Sequence, residues 1–151
     1  MRVYLNCPTC DSPFLVQRHE VSIRKYCSGS CRGIASVKSQ ANKQPTIIET
    51  LTYQALTELN ISFDKQYRVG KFVCDVFIPE RKLVIEVQGD YWHGNPRFYS
   101  EETMNKTQRV HFERDKKKRE AYNKAGLKLI ELWESDIKEF GAKQLLEKFL
   151  F

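Results

Sequence analysis

No run of this sequence approaches the ~20 consecutive apolar residues that span a bilayer, so a transmembrane helix is excluded. The opening residues, MRVYLNCPTC, carry no apolar leader core before the first cysteines. The expected setting is therefore the cytosol, where thiols stay reduced and cysteines serve as ligands more often than as disulfides. There the sequons at Asn60 and Asn105 carry no meaning. Internal repeats and low-complexity segments are absent, which excludes a solenoid. Acidic residues are in deficit, 19 against 25 Lys and Arg, leaving a formal charge of +6. That excess favours an anionic partner, nucleic acid first. The 151 residues suffice for one core, or for one core and a small appendage.

Cysteine is what the N-terminal part does have. Cys7, Cys10, Cys27 and Cys31 form C-x2-C-x16-C-x3-C, two close pairs with a short spacer, as tetrahedral thiolate zinc requires. His19 is not needed in a shell that four cysteines complete. Phe14–Val16 and Val21–Ile23, separated by 17–20, predict a small β-hairpin, and Cys31 opens a helix running to about Ala41 with Ser28 or Ser30 as cap. Knuckle, hairpin, and knuckle on a helix N-terminus resemble a treble-clef zinc finger over residues 1–41. Arg18, Arg24, Lys25, Arg32 and Lys38 make this module basic, which suits contact with DNA; the alternative is a metal staple for a core too small to fold alone. The polar stretch VKSQANKQP ends in proline and places a linker at 42–45.

From Thr46 to Phe151 the pattern is α/β (α+β). Thr46 and Glu49 have the spacing of a capping box, and Ile48, Leu51, Ala55, Leu56 and Leu59 form an apolar helical stripe. Ile61–Tyr67 predicts a strand, and Gly70-Lys71 turns into a second in which Val73, Asp75 and Phe77 share a face. Pro79–Arg81 supplies a turn into a third, Lys82–Val87, dense in aliphatic residues. Cys74 reads as a small buried apolar residue.

Asp75 and Glu86 interrupt these apolar runs. Burying a carboxylate costs several kcal/mol unless it is paired or binds metal. Two of them on adjacent strands are suited to one hard divalent cation; the alternative places them at edges, facing water or basic partners. Gln88, Gly89, Asp90 and His93 follow directly with hydrogen-bonding and proton-transfer groups. The loop onward to about Thr103 is aromatic (Tyr91, Trp92, Phe98, Tyr99) and long enough to be functional, either stacking on bases or packing Trp92 under the sheet.

A helix over Asn105–Lys124 carries Lys106, Arg109, Arg114, Lys116, Lys117, Lys118, Arg119 and Lys124, a solvated face that also suits phosphates. Within it His111 reads as a bystander and Asp115 is spaced for an ion pair with Arg119. Leu127–Trp133 is a further strand. A last helix, capped by Ser135 or Asp136, carries Phe140, Leu145, Leu146, Phe149 and Leu150.

The order helix, three strands, helix, strand, with these acids, resembles the αβββαβ core of the PD-(D/E)XK nuclease superfamily. VQGDYWHGN and RDKKKREAYNKAGLKLIELWESDI resemble the very-short-patch repair endonucleases: Trp92-His93-Gly94 matches half of that family's His/Gly-rich segment, and Trp133-Glu134 its strand ending. The related EDxHD phage homing endonucleases carry a helix glutamate, a strand aspartate, a histidine and a helix aspartate, supplied here in order by Glu49, Asp75, His93 and Asp115. Gln88 replaces the repair family's first histidine and stands where the superfamily has lysine; Glu86 matches the superfamily's second acid.

The resemblance implies a site-specific, Mg2+-dependent DNA endonuclease in a bacterial or phage-infected cell, acting on double-stranded DNA as a monomer or homodimer. It implies Asp75, with Glu86 or the Val87 carbonyl, as Mg2+ ligands; His93 as general base; Asp115 orienting His93; Glu49 reaching metal through water; Gln88 on phosphate or water; and Lys116, Lys117, Lys118 and Arg119 on backbone phosphates. A mismatch- or structure-directed repair nickase, or a non-catalytic DNA-binding module on this fold, are the alternatives.

Overall fold

The computed structural model describes residues 1–41 and 44–151, and of 37–41 the backbone only. The expected linker therefore lies partly outside the described residues, as does the side chain of Lys38. The chain divides into two compact units, Met1–Gln44 and Pro45–Phe151.

In the first unit, β1 (Arg2–Asn6) pairs antiparallel with β2 (Pro13–Gln17), Val3 opposite Val16. The turn between them is the first cysteine knuckle. Cys7 donates its N–H to the Ser12 carbonyl and its own carbonyl accepts from Asp11 N–H, with Asp11 at φ 56°. Helix α1 (Gly29–Ala41) carries Cys31, whose N–H donates to Ser28 Oγ at 3.2 Å, so Ser28 supplies the cap.

The hairpin differs from the sequence expectation. Val21–Ile23 is not a strand, and Phe14–Val16 pairs with β1. The chain instead closes into a 3-10 turn at Arg18–Glu20, where Gln17 N–H donates to Glu20 Oε2 and the Glu20 carbonyl accepts from Ile23 and Arg24.

The second unit is built on a four-stranded sheet, β3 (Asp64–Val69), β4 (Phe72–Ile78), β5 (Leu83–Gln88) and β6 (Lys128–Trp133), in that spatial order. The first two pairings are antiparallel; β5 and β6 are parallel and joined through α3 (Lys106–Lys124). With α2 (Ile47–Glu58) leading, the order is αβββαβ. Every residue of β5 is buried, as expected of a central strand covered on both faces.

On one face Leu83, Ile85 and Val87 pack with Tyr53, Ala55 and Leu56 of α2 and with two C-terminal helices. On the other, Val84 packs with Tyr122 of α3 and Cys74. Leu51 of the expected α2 stripe turns out to be exposed, and Tyr53 takes the inward position.

The single C-terminal helix of the sequence reading is two: α4 (Glu134–Phe140) and α5 (Ala142–Leu150), broken at Gly141 with φ 80°. The break lets Ile137 and Leu146 both reach the same core. Neither Ser135 nor Asp136 caps: α4 begins directly from Trp133 without a side-chain cap.

Candidate functional site

The β4–β5 ladder runs through Ile78↔Leu83, Phe77↔Val84 and Val76↔Ile85, and stops. At the next position Asp75 replaces a backbone carbonyl with its own carboxylate: Val87 N–H donates to Asp75 Oδ2 at 2.8 Å. On the other side the β3–β4 ladder skips the Gln66–Asp75 pair while Lys65↔Val76 and Tyr67↔Cys74 hold. Gln66 sits at φ 51° and its amide donates to Asp75 Oδ1 at 3.4 Å. Side-chain alternation breaks here, since Val76 lies in the α2-side core and Cys74 in the α3-side core. The face expected to be shared by Val73, Asp75 and Phe77 is interrupted for this reason. Asp75 is half-buried, and among the described residues no Lys or Arg pairs with it. In a chain of net charge +6, that leaves a carboxylate open to an external cation.

Glu86 is not presented with it. Its Oε2 accepts from Lys118 Nζ at 2.7 Å and its Oε1 from the Tyr122 hydroxyl, both on α3. Burial, and then the charge of Asp75, push its carboxyl up to about 7 despite the pull of Lys118. Glu86, expected as a direct ligand beside Asp75, thus has one oxygen in an internal ion pair and the other hydrogen-bonded by a phenol. Gln88 is likewise interior, 2 % exposed. Its amide nitrogen donates to Glu131 Oε1 at 3.3 Å, and its buried Oε1 has no protein partner among the described residues. It lies under α3 and is not offered to a phosphate.

His93 and Asp115 do come together, although 22 residues separate them. His93 Nδ1 lies 2.6 Å from Asp115 Oδ2, with the carboxylate 7 % exposed and the imidazole 25 %. Asp115 therefore pairs with His93 and not with Arg119.

His111, one helical turn before Asp115, reads from sequence as a bystander. Its ring centroid lies 5.5 Å from that of His93 and 6.3 Å from that of Trp92. Burial, and then His93, lower its pKa, which favours the neutral ring. The i to i+4 spacing of His111 and Asp115 is the signal that marks both for one helix face. Trp92 is 55 % exposed, so it does not pack under the sheet.

The loop bearing His93 is tied down at several points. Asp90 N–H donates to Glu134 Oε2 at 3.3 Å, and Asp90 Oδ1 accepts from Asn95 Nδ2 at 2.6 Å and Ser135 Oγ at 3.1 Å. Gln108 of α3 donates to the Tyr91 carbonyl at 2.8 Å. Gly94 has φ 59°, and a Cβ there would meet the Met104 methyl at 2.6 Å, so glycine serves both the turn and the close approach. Glu134 and Ser135, at the start of α4, thus anchor this loop.

Glu49 closes the expected capping box, accepting from Thr46 N–H at 2.8 Å. Its charge and that of Asp75 both act on Tyr53, whose phenol is raised chiefly by burial and which donates to the Asp75 carbonyl at 3.4 Å. Glu49 and Asp75 thus share a neighbourhood.

The basic helix splits into two sets. Lys118 pairs with Glu86, and Arg119 donates from Nε and Nη2 to Glu131 Oε1 at 3.0 and 2.8 Å. Lys116 and Lys117 are exposed, and Lys117 shares an open groove with Lys106, Arg109, Val110 and Arg114. Lys118 and Arg119, expected on backbone phosphates, hold these internal pairs. In the first unit Arg18, Arg24, Lys25 and Arg32 are all exposed.

The sulfurs of Cys7, Cys10, Cys27 and Cys31 lie within 4.8 Å of one another. Tetrahedral zinc with Zn–S near 2.3 Å sets its sulfurs roughly 3.8 Å apart, so the donor set and spacing fit zinc. Hydrogen bonds from the Cys27 backbone and the knuckle amides lower the Cys7 thiol to about 6. Crowding by the Cys10, Cys31 and Cys7 sulfurs raises Cys27 to about 12. Among the described residues this is the one cluster of three or more His, Cys, Asp or Glu side chains with metal-binding spacing. Asp75 alone still suits Mg2+, which keeps several waters and needs only one or two carboxylates.

No protein-family model matches the chain, and no curated protein matches it. Among solved structures it is similar to the catalytic domain of the homing endonuclease I-Bth0305I, at 22 % identity and a TM-score of 0.51, over 70 % of this chain and 94 % of that one. At that identity the likeness is one of fold. The second unit, with its four-stranded mixed sheet and αβββαβ order, is alike in fold to that catalytic domain.

Proposed function

We propose that residues 46–151 form a metal-dependent, site-specific DNA endonuclease of the EDxHD homing type, akin to the very-short-patch repair enzymes, and that residues 1–41 form a treble-clef-like zinc finger joined to it by the linker at 42–45. The observation that carries this reading is the 2.6 Å His93–Asp115 pair in the loop leaving β5, the strand whose Val87 amide holds Asp75. The likeness in fold to a homing endonuclease catalytic domain supports it.

In this account Asp75 and the Val87 carbonyl would hold Mg2+, with Glu49 as a further acid near it. The bound cation stabilises charge on the scissile phosphate and on the leaving oxygen. Asp115, as a carboxylate, only accepts a hydrogen bond; it keeps the His93 proton on Nδ1 and leaves the Nε2 lone pair for water. Nε2 takes a proton from that water as its oxygen attacks phosphorus, one P–O ester bond breaks, and the departing oxygen is protonated by solvent. Lys116, Lys117 and the groove around Arg109 and Arg114 neutralise backbone phosphates, and Arg18, Arg24, Lys25 and Arg32 do so from the zinc finger.

The test is cleavage of double-stranded DNA from a candidate host genome by wild type and His93→Ala. Cleavage in a reproducible fragment pattern, lost in the variant, supports the reading. DNA that is bound but left intact by wild type overturns it in favour of a binding module, and preferential nicking of mismatched duplex favours a repair nickase.

A further inference from the structure

Gln66 occupies a backbone conformation that side chains rarely adopt, and it does so in the middle of a strand. Its φ is 51°, yet the ladder on either side keeps one constant register. The missing rung faces Asp75. A strand that needed only a break would be served by glycine, which takes this conformation without penalty. Gln66 instead keeps a long amide whose Nε2 reaches Asp75 Oδ1 at 3.4 Å, while Val87 N–H holds Oδ2 at 2.8 Å. The same side chain also meets the phenol of Tyr53, which in turn donates to the Asp75 carbonyl.

We propose that Gln66 is a positioning residue for the Asp75 carboxylate, its amide holding Oδ1 in the orientation in which that group receives a divalent cation. This rests on the reading of Asp75 as a metal-binding acid. The two oxygens are held unequally, Oδ2 by a short backbone bond and Oδ1 by a longer bond from the Gln66 amide, and a carboxylate oxygen so held keeps a further lone pair for a cation. A carboxamide carries both a donor and an acceptor. It serves the carboxylate through Nε2, and its Oε1 would be available to accept from the hydration shell of a bound cation. Unusual backbone conformations of this kind persist where the surroundings over-determine them, and they cluster at functional sites. Partners behind a metal ligand typically change metal affinity 10- to 100-fold when removed.

The experiment uses the full zinc-loaded chain and four proteins: wild type, Gln66→Gly, Gln66→Asn and Asp75→Ala. Mn2+ binding is followed by calorimetry, the Mg2+ dependence of DNA cleavage is measured in parallel, and melting temperatures are recorded for each. Gln66→Gly suits the backbone and loses the amide. It is expected to melt at or above the wild-type temperature, to bind Mn2+ about tenfold more weakly, and to need about tenfold more Mg2+ for half-maximal cleavage, with kcat within about threefold. Gln66→Asn tolerates the backbone and keeps an amide on a shorter arm, so it falls between the two. A Gln66→Gly isotherm that superimposes on wild type, with Asp75→Ala abolishing binding, overturns the role of Gln66 alone. Equal Mn2+ binding by wild type and Asp75→Ala overturns the metal reading of Asp75, and the proposal with it.

Discussion

His93 Nδ1 and Asp115 Oδ2 stand 2.6 Å apart, one from a loop and one from the middle of α3. The loop is tied to α4 through Asp90, Asn95 and Ser135, and α3 is tied to β5 through Lys118 and Glu86. The pair is therefore set by two rigid supports rather than by its own hydrogen bond. Asp115→Asn leaves the shape and removes the group that fixes the His93 tautomer. Cleavage is expected to slow ~10²- to 10⁴-fold with DNA affinity unchanged within about twofold. Single-turnover kinetics beside a binding isotherm check this, and a variant that cleaves at the wild-type rate contradicts the dyad.

Adjacent lysines on α3 are expected to behave in opposite ways. Lys118→Ala strands the buried Glu86 carboxylate and should destabilise the protein by about 3 kcal/mol at pH 8, and by less at pH 5, where Glu86 takes up a proton. Lys117→Ala should leave stability unchanged, weaken DNA binding, and reduce the salt slope by about one. Urea denaturation and salt-dependent binding separate the two; equal effects on DNA binding with no stability difference would return Lys118 to the phosphate-facing set.

Glu86 also predicts a pH dependence. Its folded pKa, about 7, lies above the ordinary value of 4.5. Between these values the folded state holds the proton more tightly, so this group's contribution to stability falls as pH rises through that window. Glu86→Gln keeps one acceptor oxygen toward α3 and lacks the titration. The stability of wild type relative to Glu86→Gln should therefore decline from pH 5 to pH 7.5, as read by chemical denaturation across that range. A difference that stays flat across that range would mean that Lys118 keeps Glu86 ionised throughout.

Much of this was legible in the sequence where interactions are local. Thr46 and Glu49 announce their capping box at a spacing of three, and Leu83–Val87 announce a buried strand by composition. The break at Gly141 was legible too, and a reading that followed the apolar stripe past it ran two helices together.

What was not legible depends on partners distant in the chain. The Lys118 and Tyr122 partners of Glu86 come from α3, 32 and 36 residues on, and no local pattern announces them. The opening at Asp75 depends on Gln66 from another strand, and the zinc-finger hairpin on Arg2–Asn6 pairing backward across the knuckle.

The cysteine cluster predicts one zinc per chain, lost in Cys10→Ser and in Cys27→Ser. Because the Cys27 thiol sits near 12 without metal, loading must release its proton, so zinc affinity should rise with pH. Elemental analysis and competition with a chromophoric chelator at pH 6.5 and 8 check both points. Chelation should make residues 1–41 protease-sensitive. Full occupancy in the serine variants, or affinity independent of pH, would contradict the four-thiolate site.

The most direct test of the whole account is the Mg2+ dependence of DNA cleavage by wild type and Asp75→Ala, on supercoiled substrate carrying candidate host sequence. The account predicts cleavage that requires Mg2+ and falls by at least ~10³-fold in the variant while DNA binding persists. The ratio of nicked to linear product then reports whether one or two strands are cut. Cleavage that survives Asp75→Ala, or DNA that stays intact with every divalent cation although it is bound, would contradict the assignment of Asp75 as the metal-binding acid of a nuclease.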